Sequence, residues 1–349
     1  MAKAPKQTGE TGAFVARAMI VVALAAGAFL LWHLRYVLVL LFGAVLVGTI
    51  LRAIAGPFRR WFRFPDSLAV LTAVVVLAIV LVGTGWLLGA QIAAQTQTLT
   101  DSLPAAVETV DDWLAGYGLH EPVNTWMNDI RNSGGAIVAS FGTWLSNFGT
   151  AVANFLLVLF GGIFLAAQPQ FYRTGTIKLI PQARRALIAE AMDESETALR
   201  LWLKGQLISM VIVGTLTGAG LWLLGLESWL VLGLLAGLLE FVPFAGPIVA
   251  AIPGILLALV VNPQLALWTT LMYVAVQHVE SYIIQPLVQQ YAVHIPPVVL
   301  LFSLLAFAML FGIIGVLFAA PLAVVTYVLV KRLYVVEALD TPTPIPGED

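Results

Sequence analysis

Eight apolar stretches, each about as long as a membrane-crossing helix or longer, recur along this chain at residues 14–32, 36–51, 67–90, 151–167, 206–226, 229–260, 264–284 and 297–330. A hydrocarbon core of about 30 Å takes about 20 helical residues per crossing. Inside it every backbone N–H and C=O must find a partner within the protein, and single segments of this kind meet that demand as helices. The expected fold is therefore an all-α polytopic membrane protein with eight membrane segments. Composition points the same way: 60% of the 349 residues are hydrophobic and 10% charged, and the mean hydropathy is +0.95, outside the range of soluble domains. The first stretch is read as a retained anchor. It exceeds the ~7–15 residues of a signal-peptide core, and Trp32, His33 and Arg35 follow it in place of a small-residue cleavage site.

Several chemistries drop out. The chain has no cysteine, hence no disulfide framework or thiolate metal site, and His33, His120, His278 and His294 lack zinc-ligand spacing. Residues 83–89, "GTGWLLG", resemble a nucleotide fingerprint only in their glycines, because no strand precedes them, and no Walker A sequence is present. Neither metal, cofactor, nucleic acid nor enzymatic chemistry is expected. Gly85/Gly89, Gly214/Gly218 and Gly233/Gly237 are small-residue pairs that permit close helix packing.

The basic residues set the orientation. Lys3, Lys6 and Arg17 open the chain, Arg52, Arg59, Arg60 and Arg63 fill the second connection, Arg173 to Lys204 the fourth, and Lys331 and Arg332 follow the last stretch. All are expected to be cytoplasmic, with both termini. Residues 91–150 carry one basic residue, Arg131, among six acids, and are expected outside. There, 91–118 has helical periodicity and 124–149 should return to the interface. The chain thus divides into three N-terminal segments over 1–90, an extracytoplasmic helical insertion over 91–150, a fourth segment over 151–167, a cytoplasmic amphipathic helix over 168–204 (with Glu196 and Arg200 paired at i,i+4), a transport core over 205–333, and a disordered Pro-rich tail over 334–349.

The core is the informative part. Residues 229–260 would span about 48 Å as one straight helix, too long for a single crossing, and 297–330 has the same excess. Each is interrupted near its middle, by "PFAGP" at 243–247 and by "FGIIG" at 311–315, and each follows an ordinary apolar segment. Paired Gly/Pro-interrupted segments at corresponding positions of two halves point to a transporter's binding site. They form either two re-entrant hairpins arranged as an inverted repeat or two long kinked spans; charge counting does not separate these.

Glu240 and Glu280 are the two acids deep within apolar segments. A charge at membrane depth costs at least about 2.5 kcal/mol, so such residues normally face a cavity or a partner. Glu240 lies three residues before Pro243. Tyr273, Gln277 and Glu280 share a helix face at i, i+4 and i+7. The expected solute or ion pathway comprises Glu240, Pro243, Gly246, Pro247, Tyr273, Gln277, Glu280, Gly312 and Gly315. His278 and His294 are read as packing residues.

"GLLAGLLEFVPFAGPIVAAIPGILLALV" (233–260) and "QHVESYIIQPLVQQYAVHIPPVVLLFSLLAFAMLFGIIGVLFAAPLAVV" (277–325) resemble the autoinducer-2 exporter family, also called the PerM permease family, as does "KGQLISMVIVGTLTGAGLWLLGL" (204–226). Gly205, Gln206, Glu240, Pro243, Gly246, Pro247, Pro253, Gln277, Glu280, Pro286, His294, Pro296, Gly312, Gly315 and Pro321 stand at the family's recurrent positions; "LVQQYAVHIP" departs from it in lacking a glycine and basic residues. The resemblance implies an eight-segment, homo-oligomeric transporter of the bacterial cytoplasmic membrane, pentameric in one implied form, that exports autoinducer-2 in some members and exchanges sodium for protons in others. The expected function is secondary-active or facilitated export of a small polar organic solute, with H+ or Na+ as the coupling ion if there is one. A sodium/proton antiporter and a non-transporting membrane scaffold are the alternatives.

Overall fold

The computed structural model describes residues 8–87, 89, 152–289 and 295–343. The helices expected over 91–150 lie outside the described residues, as does His294. All regular structure among the described residues is helical: α1 Thr8–Phe62, α2 Asp66–Leu87, α3 Val152–Ala167, α4 Pro169–Lys178, α5 Arg185–Leu223, α6 Trp229–Leu239, α7 Ala245–Val261, α8 Pro263–Val279, α9 Gln285–Gln289, α10 Pro297–Phe311 and α11 Ile313–Val330. π-helical turns follow α8 (Glu280–Ile284) and α11 (Lys331–Val336).

The eight-segment expectation changes at the N-terminus. Stretches 14–32 and 36–51 belong to one uninterrupted helix of 55 residues, about 82 Å long. The residues between them, His33, Leu34 and Arg35, include no Gly or Pro to stop a helix, and Arg35 folds its guanidinium over the Trp32 ring at 4.1 Å, so its charge need not force a turn. Among the described residues four helices are long and apolar enough to cross a membrane: Ala18–Phe62, Asp66–Leu87, Gln182–Leu223 and Ile313–Val336; the bent pair α3–α4 makes a fifth when taken as one unit.

Local signals explain the boundaries. Arg63 adopts a left-handed φ of 52°, and Pro65 keeps the chain extended before α2. α5 ends at Gly225 (φ 81°), where the Leu226 N–H donates to the Leu221 carbonyl at 3.1 Å, a Schellman closure. α8 starts where the Asn262 side chain accepts from the Leu265 N–H at 2.7 Å with Pro263 at the first position, a paired start signal.

Helix α5 is the organising element. Its Leu199 and Leu203 pack with Val39 and Leu46 of α1 and Phe318 of α11, while Ala198 meets Val324 and Val328. Nearer its C-terminus, Leu221 clusters with Leu232, Ala258 and Ala266 of α6, α7 and α8. Gly214 and Gly218 lie against Gly233 and Gly237 of α6, backbone against backbone. Gly85 and Gly89 face open space. The amphipathic helix and the fifth apolar stretch are one continuous element, α5. However, Glu196 sits 3.8 Å from Arg52 of α1 rather than beside Arg200. The tail expected to lose structure at 334 stays helical through Val336, and Glu337 lies 3.6 Å from Arg184.

Both broken stretches reverse direction. Residues seven or eight apart in an unbroken helix are about 10–12 Å apart along the axis. Yet a Cβ on Gly246 would overlap the Leu239 carbonyl, and one on Gly315 the Phe307 carbonyl. α6/α7 and α10/α11 are therefore helical hairpins, turning at Phe244 (φ 64°) and Gly312 (φ 65°).

Candidate functional site

Glu240 and Glu280 come together at one cavity. It encloses about 200 Å³ and is lined by α5 (Val213, Thr217), the first hairpin (Ala236, Glu240, Pro247, Ala250) and α8 with its π-turn (Thr270, Tyr273, Gln277, Glu280), among others. Glu240 is 3% exposed and Glu280 4%. Among the described residues no cationic side chain lines the cavity. Its volume equals roughly six or seven waters of the liquid, below the range typical of drug-sized ligands.

The two carboxyls are held differently. Glu280 accepts hydrogen bonds from Gln277, from Gln285 Nε2 at 2.9 Å and from Ser281 Oγ at 3.4 Å. Glu240 stands at the C-terminal cap of α6, where the chain leaves the helix, and the carbonyl exposed there accepts from Gln206 Nε2 of α5 at 2.6 Å. Its carboxyl oxygen Oε2 is buried with no partner, and so is the Tyr273 hydroxyl. Buried polar atoms are usually paired. Ile248, Ile255, Val274 and Val276 make the rest of the lining largely apolar, so the two orphans are the points where a hydrogen-bonding occupant gains most.

Of the nine residues singled out in the sequence, Glu240, Pro247, Tyr273, Gln277 and Glu280 line this cavity. Pro243 and Gly246 shape the hairpin beside it: the Pro243 carbonyl accepts from the Ala245 N–H at 2.8 Å, and Gly246 leaves room for Leu239. Gly312 and Gly315 shape the second hairpin, which contributes no lining residue. The cavity thus lies between α5, α8 and the first hairpin, and not between the two broken stretches.

Three contributors escaped the site reading. Gln206, Ser209 and Thr217 lie on a face of α5 at i, i+3 and i+11; these polar residues on one face of an apolar helix were the available signal. Gln285 lies five residues beyond Glu280, off the α-helical face. The π-turn, whose Gln285 N–H bonds to the Glu280 carbonyl, brings it round, and such turns recur at functional sites.

A larger groove of about 720 Å³ runs between α5 and α6, lined by Leu207, Val211, Trp222, Leu230 and the glycine contact. It carries no ionisable side chain and opens on an apolar outer face, so the polar chemistry belongs to the smaller cavity.

Known proteins similar to this chain place it in the class of membrane transporters. It is 24% identical over 290 residues to YrrI of Bacillus subtilis strain 168, whose name assigns it to transport provisionally and gives no cargo, covering 78% of this chain and 81% of the relative. It is 26% identical over 298 residues to the AI-2 transport protein TqsA of Escherichia coli K12, covering 83% and 84%. The profile of the AI-2E family of transporters matches residues 19–334, and the chain belongs to that family. With several membrane-crossing helices, it is a multi-pass membrane transport protein.

Proposed function

We propose that this chain exports a small polar organic solute of the AI-2 type across the bacterial cytoplasmic membrane, with the cavity between Glu240, Tyr273, Gln277 and Glu280 as the solute site. The observation that carries this reading is the pair of unpartnered buried polar atoms, Glu240 Oε2 and the Tyr273 hydroxyl, on a cavity of about 200 Å³. A small hydroxylated solute suits a cavity of this size and would partner the two orphaned atoms, its carbon skeleton lying against the otherwise apolar lining. The name of TqsA supplies the solute class. The helix break at Glu240 supports the same reading, since irregular backbone at membrane depth is tolerated where it lines a cavity.

Under this reading the two hairpins re-enter from opposite faces as an inverted repeat, and rocking of one against α5 and α8 opens the cavity to each side in turn. The arginine-rich end of the molecule, with Arg52, Arg173, Arg184 and Arg332, is cytoplasmic, and the C-terminus with it. The chain works as a homo-oligomer. The N-terminus would share the cytoplasmic side only if α1 left the membrane on the side it entered, since the turn expected near residues 33–35 is replaced by helix.

Flux of AI-2 into proteoliposomes, with and without proton or sodium gradients, tests the reading. Wild-type protein should carry the solute, Glu280→Gln should insert and elute like wild type yet give background flux, and Glu240→Gln should be severely slowed. Wild-type flux in both variants would remove the carboxyls from the mechanism.

A further inference from the structure

α3 and α4 meet at a bend of 92°. Gln168 leaves helical geometry (φ −132°, ψ 56°) and Pro169 opens the new helix, a junction the residue before a proline favours. If the apolar α3 is the part that enters the membrane, the bend lays α4 along the surface. It does so at the arginine-rich end of the protein. Ala166, at the end of α3, packs with Leu51 and Ala55 of α1 and Ala69 of α2, and Arg173 of α4 forks onto Asp193 of α5 at 2.6–3.1 Å.

The two sides of α4 differ. Arg173 and Ile177 turn toward α5 and are partly covered. On the other side Phe171 is 71% and Leu179 85% exposed, with Tyr172 and Lys178 beside them; no residue of α4 is buried. At the neighbouring α1–α2 corner, Trp61 is 76% exposed and is flanked by Arg60 and Arg63. Arg59 is taken by Asp66 at 3.0 Å, whereas Arg60, Arg63 and Lys178 have no acidic partner among the described residues.

We propose that α4 and the α1–α2 corner form a docking surface for the anionic phospholipids of the adjoining leaflet. Phe171, Leu179 and Trp61 enter the boundary between headgroups and acyl chains, and Arg60, Arg63 and Lys178 bind lipid phosphate. Bulky apolar side chains interleaved with cations, on a helix lying across the span that precedes it, are the chemistry of an interfacial helix. Basic residues at that level draw anionic lipid. The bidentate Arg173–Asp193 contact ties this surface to α5, so the lipid grips the helix that also carries Gln206 and Thr217.

The absence of native cysteine makes the test direct. Spin labels on Phe171→Cys, Leu179→Cys and, as an aqueous reference, Asp340→Cys are compared in bilayers of phosphatidylcholine alone and of phosphatidylcholine with phosphatidylglycerol. Labels at 171 and 179 should collide preferentially with oxygen rather than with a water-soluble nickel chelate, and more deeply in the anionic bilayer. Combining them with Arg60→Gln, Arg63→Gln and Lys178→Gln should abolish the difference between bilayers and lower retention of phosphatidylglycerol in native mass spectra several-fold. Nickel access at 171 and 179 equal to that at 340 would overturn the proposal. So would depth indifferent to lipid charge, or labels shielded from both reagents, which would mean that protein covers the face.

Discussion

Replacing Tyr273 by Phe separates a solute-binding hydroxyl from a structural one. The hydroxyl is buried, lines the cavity and bonds to no protein group, while its ring packs against Gly254. Phe keeps the ring and removes a polar atom that bonds to no protein group. An unsatisfied buried hydroxyl costs about 1–3 kcal/mol. Water in the cavity would recover much of that, so the stability change should run from zero to a gain of about 1 kcal/mol. With solute bound the sign reverses. A hydrogen bond to the hydroxyl is worth about 0.5–1.5 kcal/mol, which predicts a KM for solute raised about 2- to 12-fold. Thermal unfolding of the purified variant and a concentration series of proteoliposome flux read the two effects separately. A Tm lowered by several degrees with an unchanged KM would refute the reasoning, because it would mean that the hydroxyl serves the fold and not the solute.

The other predictions address the parts around that site. Gln285→Leu removes the 2.9 Å donor from Glu280; it should cost about 1–3 kcal/mol of site stability and depress flux at least tenfold while assembly, followed by size-exclusion chromatography, is unchanged. Gly246→Ala and Gly315→Ala each drive a methyl into a carbonyl across a hairpin and should lower stability by about 1–3 kcal/mol or more, whereas Gly85→Ala, with open space around it, should leave the Tm in place. Ala245→Cys and Ile313→Cys, at the two hairpin turns, should react with a membrane-impermeant thiol reagent from opposite sides of the membrane; reaction of neither from either side would count against hairpin tips at aqueous cavities.

What could be read from the sequence follows the physics of each feature. The helical membrane class was plain, because hydropathy over some twenty residues reports it directly. So were the two breaks, since Pro243, Gly246, Gly312 and Gly315 interrupt helices for local reasons that need no tertiary context, whereas whether the chain reverses or only kinks there depends on tertiary packing. The separation of stretches 14–32 and 36–51 into two segments does not hold: neither His33 nor Arg35 ends a helix, and Arg35 lays its charge along Trp32. Polarity marks a turn only where backbone geometry also favours one. The ion pair drawn between Glu196 and Arg200 failed for a related reason. An i,i+4 pair on one helix is worth a few tenths of a kcal/mol, so a neighbouring helix that brings Arg52 within reach decides the partner.

The site shows the same division between local and assembled information. Glu240 and Glu280 stood out singly, because an acid in an apolar run is conspicuous whatever its neighbours. Their meeting at one cavity depends on α5, whose glycine contact draws α6 close enough for Gln206 to reach the Glu240 carbonyl. Gln285 was hidden for a geometric reason: helical periodicity at 3.6 residues per turn places residue i+5 away from residue i, and only the wider π-turn returns it to the Glu280 face. That turn lies in the helical run 263–289, between the stretch that carries Tyr273 and Gln277 and the stretch that carries Gln285. A shift from π to α geometry would rotate Gln285 off Glu280 and leave that carboxyl with Gln277 and Ser281. Fold and site are coupled there, at one extra residue in a helix, and residue spacing read as α-helix throughout has no means of registering it.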